Sequence, residues 1–111
     1  MTEEQLVASL SAIASHQRMA IVAELAAGRL HVSELARRVE MSRALLYMHL
    51  TKLEEAGFVT GHLELGPDGK ALKYFEVVKF RIVVDLASVL DAVGQSKQNR
   101  TRPQSDTKGT S

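Results

Sequence analysis

Serine and glycine residues at four positions divide the first half of this chain into helices of defined length. Ser15 and Ser42 are of the type that caps helix N-termini, whereas Gly28 and Gly57 are of the type that ends helices in a left-handed conformation. The spacing predicts one helix between Ser15 and Gly28 and another over residues 43–56. Because the 111-residue chain contains no cysteine, we expect its fold to rest on packing, without disulfides or thiolate metal sites.

Apolar periodicity predicts further elements around these two helices. Apolar residues recur with helical spacing in segment 2–15 and in Val32–Val39, which we expect to be the first and third helices. The alternating segments 58–65 and 70–78 predict a hairpin closed by a type I turn at residues 66–69. On the first strand, the alternation directs three apolar residues toward the core, namely Val59, Leu63 and Leu65.

The last apolar segment, residues 80–93, predicts a helix that is apolar on two faces. A domain of this size covers one such face, so the second face indicates a partner chain, and identical chains normally pair about a two-fold axis. We therefore predict a homodimer in which this fifth helix forms the interface, assisted by the first helix. Burial of both faces within one monomer is the alternative. The predicted interface comprises Leu6, Leu10, Phe80, Val83, Val84, Ala87 and Leu90.

Charge and composition change at Gly94. Residues 1–93, which we expect to form one domain, contain 10 Lys or Arg and 12 Asp or Glu, whereas residues 94–111 have a net charge of +3 and no apolar residue. The second region predicts a disordered basic tail, because it cannot bury enough apolar surface to become ordered. It is either a solvated end or a flexible arm that contacts phosphate. A domain without excess positive charge must position its basic side chains locally if it binds nucleic acid.

Four segments of the chain together resemble a known family. They read ASHQRM at residues 14–19, LHVSELARRV at 30–39, MSRALLYMHL at 41–50 and KLEEAGFV at 52–59. In this order they are similar to the ArsR/SmtB-like family of bacterial and archaeal repressors. The resemblance implies a mainly α winged helix-turn-helix with a small β-hairpin, in the order α-α-α-α-β-β-α. It also implies that the fourth helix enters the major groove of DNA and that the wing, residues 58–78, lies along the backbone.

Helical geometry separates two faces of the fourth helix without reference to any family. The side expected to pack on the second and third helices carries Leu46, Leu50 and Leu53. On the opposite side, Arg43 is expected to contact guanine with two hydrogen bonds. Tyr47 and Met48 stand where similar repressors carry small or polar residues, which indicates contact with thymine methyl groups or an altered target. The residues expected at base edges are Arg43, Ala44, Tyr47 and Met48, and those expected near phosphates are Ser42, Thr51, Arg37, Arg38, Lys70 and Lys73.

Other classes of function have less support in the sequence. Similar repressors that sense metals use cysteines at the third helix, where this chain has His31 and Ser33, or Asp and His pairs on the last helix, which here lacks histidine. The four histidines also lack a paired spacing, so neither a metal nor a cofactor is predicted. An enzyme is not predicted, because no nucleophile or phosphate-binding loop accompanies His62 and Glu64. A winged-helix module that binds another protein without specific DNA binding is the alternative function.

The N-terminal residues and the hydropathy of the chain predict its cellular location. No run approaches the roughly 18 to 20 apolar residues of a membrane span, and Glu3 and Glu4 stand where a secretory signal would be basic. We therefore expect a cytoplasmic protein with no membrane partner. The predicted partners are double-stranded DNA and a second copy of the chain, and the operator, an effector and a partner protein are left open.

Overall fold

A computed structural model describes the backbone of residues 1–108 and the side chains of residues 1–98. Its helices are α1 (Glu3–Ile13), α2 (His16–Ala26), α3 (Val32–Val39), α4 (Arg43–Glu55) and α5 (Leu86–Lys108), and its strands are β1 (Leu30–His31), β2 (Val59–Leu65) and β3 (Ala71–Val77). The predicted fold class, mainly helical with a small sheet, is confirmed. The chain forms two compact units, one of Ser11–Phe80 and the other of Met1–Leu10 with the residues from Arg81 onward.

The core of the Ser11–Phe80 unit is formed by the periodic apolar faces of three helices. α2, α3 and α4 contact one another, and α4 also contacts β2. Each large side chain that leaves water in such a core stabilises the fold by about 1.5–3 kcal/mol, so a few leucines decide how the helices pack. The inward side predicted for the fourth helix is confirmed. The fully buried side chains of this unit include Ile21, Leu25, Leu35, Leu46, Leu50, Leu53 and Val59.

The predicted serine caps hold the N-termini of two helices in this unit. The Ser15 Oγ accepts a hydrogen bond from the Arg18 backbone N–H at 3.2 Å, and the Ser42 Oγ accepts one from the Leu45 N–H at 3.1 Å. Both satisfy backbone donors that have no partner within the helix. α4 ends at Glu55, one residue before the predicted end, and Gly57 follows with a φ of 83°.

A left-handed residue makes the tight turn between α3 and α4. Glu40 has a φ of 55°, and the Met41 N–H donates to the Ala36 carbonyl at 3.0 Å, closing the end of α3. A side chain with a Cβ at such a position costs roughly 1–2 kcal/mol relative to a right-handed conformation. The turn sets the direction of α4 relative to α3. The left-handed conformation of Glu40 lowers the stability of the fold locally.

The wing is part of a three-stranded antiparallel sheet with strand order β1-β3-β2. β2 and β3 form the predicted hairpin, with Val59 opposite Val77 and Leu65 opposite Ala71. The Gly69 N–H donates to the Gly66 carbonyl at 2.9 Å, as expected for the predicted turn. The strand β1 was not predicted, because a segment of two residues is too short to show alternation of apolar and polar side chains.

The expectation that Leu63 and Leu65 face the core is wrong. They are 67% and 77% exposed, whereas Val59 is buried as predicted. The Phe75 ring crosses β2 at Gly61, where an added Cβ would lie only 2.6 Å from the Phe75 Cε1 atom. Phe75 is the last buried residue of this face, so the strand residues beyond it extend past the helical core.

In the second unit, α5 begins at Leu86 and not at residue 80 as predicted. Asp85 and Ser88 cap it reciprocally, because the Asp85 Oδ1 accepts from the Ser88 N–H at 2.8 Å and the Ser88 Oγ accepts from the Asp85 N–H at 2.9 Å. Apolar residues at 80–84 continue the helical spacing, so periodicity predicted a helix start ahead of this capping pair. Phe80, Val83 and Val84 therefore precede the helix.

α5 also extends beyond residue 93, where the sequence predicts the helix to end, and continues through Lys108. Ser96 is 1% exposed, and its Oγ accepts from the Glu3 N–H at 2.7 Å and donates to the Glu4 carboxylate at 2.8 Å. These bonds hold the helix to the start of α1. Residues 109–111 lie outside the described residues, and the phosphate-binding role of the tail stays a prediction.

One predicted interface residue lies inside this unit. Leu6 is 8% exposed and belongs to the core. A side chain already buried within its own chain has little area left for a partner, so Leu6 can contribute less to a dimer interface than the sequence predicts. Within the described residues, no single helix is long and apolar enough to cross a membrane.

We predict that Glu40→Gly raises the free energy of unfolding by about 1 kcal/mol, because glycine adopts the left-handed conformation without the steric cost of a Cβ. Urea denaturation followed by circular dichroism measures the change. Glu40→Ala retains the Cβ and is the control. Equal stabilisation by both variants would show that the backbone conformation of the turn is not the cause.

Candidate nucleic-acid interface

The outward face of α4 is exposed as the helical spacing predicts. Ala44, Tyr47, Met48 and Thr51 all lie at the surface of the unit. Met48 is 63% exposed and Tyr47 is 42% exposed, although both are large and apolar in most of their surface. Large apolar side chains that cluster on one exposed face are typical of a contact surface.

Internal contacts hold two of these outward residues in place. The Tyr47 ring meets the Phe75 ring edge-on, with centroids 6.5 Å apart, so the sheet supports its position. The Thr51 Oγ1 donates to the Tyr47 carbonyl at 2.9 Å. The only hydroxyl proton of Thr51 is thereby used within the helix.

Arg43, at the first position of α4, is oriented by a residue that the sequence did not single out for DNA. Its Nη1 donates to the Ser33 Oγ of α3 at 3.3 Å, and no carboxylate is paired with it in the part of the chain described here. Ser42, the preceding residue, is exposed, and its Oγ is occupied in capping the helix. Arg43 therefore retains guanidinium donors for a partner outside the chain.

A groove of about 460 Å³ lies between the start of α4, the start of α3 and the wing. Its walls combine apolar and aromatic side chains with two cations, and none of the lining residues is acidic. The predicted residues Arg43, Tyr47 and Lys73 all line it, so the structure brings these three together. The complete lining is His31, Val32, Ser33, Arg43, Tyr47, Leu63, Ala71, Leu72 and Lys73.

The two predicted wing lysines differ in their surroundings. Lys73 is half-buried, and its Nζ lies 5.6 Å from the centroid of the Phe75 ring, on the side of the wing that lines the groove. Lys70 is exposed next to the turn, where its backbone N–H donates to the Asp68 carboxylate at 3.1 Å. Only Lys73 is part of the groove.

Arg37 and Arg38 are not among the residues that line the groove, and both have acidic partners. Both guanidiniums bind the Glu34 carboxylate, Arg37 in a two-point contact and Arg38 through its Nε at 2.9 Å, and Arg38 also approaches Glu24 at 3.7 Å. Hydrogen bonds from Arg37 and then Arg38 lower the pKa of Glu34 to about 2. These two predicted residues therefore already have ionic partners within the chain.

The opposite face of the wing carries a polar cluster that the sequence suggested only through His62 and Glu64. Glu64 forms an ion pair with Arg29, and its carboxylate is 2.8 Å from the His62 Nε2. The Arg29 guanidinium lies 4.5 Å from the centroid of the Tyr74 ring, and the His31 ring meets the same tyrosine edge-on. Since Glu64 is neutralised locally, it repels phosphate less than its charge alone indicates.

Arg18 of α2 connects α4 with the last residues of α1. The Arg18 Nε donates to the Ala12 carbonyl at 2.6 Å, its Nη2 donates to the Ser11 carbonyl at 3.3 Å, and its Nη1 lies 3.0 Å from the His49 Nδ1. Because a guanidinium only donates, the His49 Nδ1 must accept, so His49 is neutral in this contact. Burial lowers the pKa of His49, and the charges of Arg18 and Lys52 lower it further.

Known proteins similar to this chain were identified from its sequence and fold. Residues 15–60 match the family model described as bacterial regulatory protein, arsR family. No curated protein is similar enough in sequence to be matched. The solved transcriptional regulator HlyU from Vibrio vulnificus is 29% identical, over 66% of this chain and 71% of its own, with a TM-score of 0.56.

Two more distant structures share the fold. NolR from Sinorhizobium fredii is 24% identical over 86% of this chain and 83% of its own, with a TM-score of 0.60. The homodimeric winged helix-turn-helix DNA-binding domain of a possible ArsR-family regulator from Mycobacterium bovis is 18% identical over 93% of this chain and 84% of its own, also with a TM-score of 0.60. The winged helix-turn-helix predicted from the sequence is confirmed.

We predict that the stability of the protein falls as the pH drops below about 6.5, partly because of His49. Its folded-state pKa lies below the unfolded value of about 6.5, so its contribution is complete above that pH and is lost as the pH falls through the folded value. His49→Gln, whose amide can accept the same bond from Arg18, should flatten the pH dependence of the free energy of unfolding.

Denaturant titrations at several pH values measure this effect. His16→Gln changes an exposed histidine and serves as the control, which should retain the slope of the unmodified protein. If His49→Gln retains that slope as well, His49 does not titrate in the native contact as inferred.

Proposed function

We propose that this chain is a sequence-specific repressor that acts as a homodimer. The match of residues 15–60 to the arsR-family model and the likeness to HlyU support a DNA-binding regulator of transcription. In this proposal α4 enters the major groove of double-stranded DNA, and the wing formed by β2 and β3 lies along the backbone. In the same proposal the protein acts on DNA in the cytoplasm.

The observation that carries this proposal is the groove between α4 and the wing. Arg43 and Lys73 bring positive charge to it, and the residues that line it include no carboxylate. A surface of this kind favours a polyanion, although the domain as a whole has no excess of basic residues. The N-terminus of α4, a helix of 13 residues, adds a partial positive charge beside Arg43.

The remaining contacts are assigned by the position and availability of each side chain. Ala44, Tyr47 and Met48 reach base edges in this proposal, while Ser42 and Thr51 lie closer to phosphates. Lys70 and Lys73 contact the backbone from the wing. Arg37 and Arg38 would give up ion pairs with Glu34 to reach phosphate, so we expect a smaller contribution from them.

The proposed dimer interface uses apolar residues that remain exposed in one chain. Val83 is 48% exposed, Val84 53% and Leu90 63%, and Ala87 is exposed beside them. Leu10 is half-buried, and Phe80 is 43% exposed while its ring contacts Phe58 with centroids 4.6 Å apart. Exposure of these apolar side chains to water is unfavourable, and in this proposal a second copy of the chain covers them by binding about a two-fold axis.

A protein-binding module is the second candidate, because the outward face of α4 and the wing are unusually apolar. Met48, Leu63 and Leu65 are all more than 60% exposed. Selection of bound sequences from a random DNA pool separates the two functions. The proposed repressor should enrich an inverted repeat whose half-sites lie about one or two helical turns apart, and binding to it should weaken with salt. Absence of any enriched sequence at low salt would favour the module.

We predict that Arg43→Ala lowers discrimination at one base position of the selected duplex by about 1–3 kcal/mol, because a bidentate contact with guanine is lost. Fluorescence anisotropy on the selected duplex and on single-base variants measures it, and circular dichroism checks the fold. Arg37→Ala removes an arginine of the same charge that is bound to Glu34. If both variants discriminate bases like the unmodified protein, Arg43 does not read the sequence.

We predict that Val83→Asp weakens the dimer by about 3 kcal/mol or more, because it introduces an uncompensated charge into the proposed apolar interface. Sedimentation equilibrium or light scattering measures the change. Met19→Asp alters a side chain on α2 that is 53% exposed and lies outside the proposed interface, so it should leave the dimer intact. An undisturbed Val83→Asp dimer would refute this placement of the interface.

A further inference from the structure

The outward face of α4 offers few polar groups to base edges. Resting on the proposed function, we propose that this face recognises the 5-methyl groups of thymines, so that the half-site is thymine-rich beneath Tyr47 and Met48. In this proposal the charged contact with a base comes from Arg43 at the start of the helix.

The outward face of α4 has little capacity for side-chain hydrogen bonds to a base. Ala44 has no polar atom in its side chain, and the thioether of Met48 is at most a weak acceptor. The Thr51 Oγ1 spends its proton on the Tyr47 carbonyl at 2.9 Å. Among the four outward residues from Ala44 to Thr51, the phenol of Tyr47 is therefore the one strong side-chain donor left for a base.

The same face has apolar surface that a contact with methyl groups would remove from water. Met48 is 63% exposed and Tyr47 is 42% exposed, so both have apolar surface to remove from water. Thymine is the one DNA base that presents a methyl group in the major groove, and apolar side chains contact that methyl. A flexible methionine adapts to the position of such a group, since its three rotatable bonds allow several packing arrangements.

The charges beside this face favour DNA over an apolar protein partner. The apolar face of α4 borders the groove, to which Leu63 and Leu72 contribute further apolar surface. Arg43 and Lys73 line the same groove, and none of its lining residues is acidic. A purely apolar partner would leave these two cations without counter-charges, whereas a duplex provides phosphates for them beside the methyl groups of its bases.

The test exploits the fact that uracil differs from thymine by the methyl group alone. A duplex from the random-pool selection is prepared with deoxyuridine in place of each thymine in turn, and Kd is measured by anisotropy. We expect about a fourfold loss of affinity for each methyl group that α4 covers, as burial of one such group implies. Deoxyuridine outside the half-sites should leave Kd unchanged.

Met48→Gln links the effect to the side chain. Glutamine is similar in length to methionine and carries an amide in place of the thioether. The variant should therefore bind with the same affinity to duplexes that have thymine or uracil at the position beneath this side chain. Met19→Gln, which changes a methionine of similar exposure on α2, should retain the fourfold difference.

Each outcome has a distinct meaning. Specific binding with a thymine–uracil difference that Met48→Gln abolishes supports the proposal. Specific binding with equal affinity for the thymine and uracil duplexes overturns methyl recognition and leaves the proposed DNA-binding function standing. A thymine–uracil difference that both Met48→Gln and Tyr47→Ser retain overturns methyl recognition by α4 and likewise leaves the proposed DNA-binding function standing. Failure to enrich any sequence overturns the proposed function and methyl recognition with it.

Discussion

The buried leucine stripe of α4 fixes which residues this protein can present to a partner. Leu46, Leu50 and Leu53 are no more than 1% exposed, and an α-helix advances by about 100° per residue. A rotation by one position would expose a leucine and bury Tyr47 or Met48 in its place. The outward face is therefore determined from the inside, by packing against α2 and α3. Arg18 adds a polar restraint at the edge of the stripe, because its bond to His49 joins α4 to the carbonyls at the end of α1.

Local pairing, more than total charge, determines the electrostatics of the candidate interface. The Glu54 carboxylate accepts the Gly61 N–H at 3.2 Å, and Glu64 is paired with Arg29. Glu34 binds two arginines, which lowers its pKa to about 2 and keeps it ionised over the physiological range. These three carboxylates near α4 and the wing are thus engaged within the chain, while Arg43 and Lys73 line the groove. A count of charged residues over 1–93 could not reveal this distribution.

The sequence predicted those parts of the fold that depend on local signals. The caps at Ser15 and Ser42 and the inward side of α4 follow from residue types and helical spacing, and all were found. The exposure of Leu63 and Leu65 was missed, because strand alternation identifies two faces and does not say where the core beneath one of them ends.

The start of α5 was missed for a related reason. Apolar residues before Asp85 continue the helical spacing, so periodicity outweighed the capping signature. Past Gly94, Ser96 bonds to residues more than 90 positions earlier in the chain. Likewise, the contacts of Arg43 with Ser33 and of Arg18 with His49 join separate helices. Side-chain partners of this kind arise from tertiary packing and leave no mark in a local pattern.

The close approach of Phe75 to Gly61 links the side of the unit that bears the candidate interface to a position that carries no side chain. The ring that fills the space over Gly61 is the same ring that supports Tyr47 edge-on and lies under the Lys73 ammonium group. Any larger residue at position 61 would displace this ring, and with it both a helix residue and a wing residue of the groove. Relatives that diverge at position 61 are thus expected to change their aromatic residue in the neighbouring strand at the same time, so that variation at the two sites is linked.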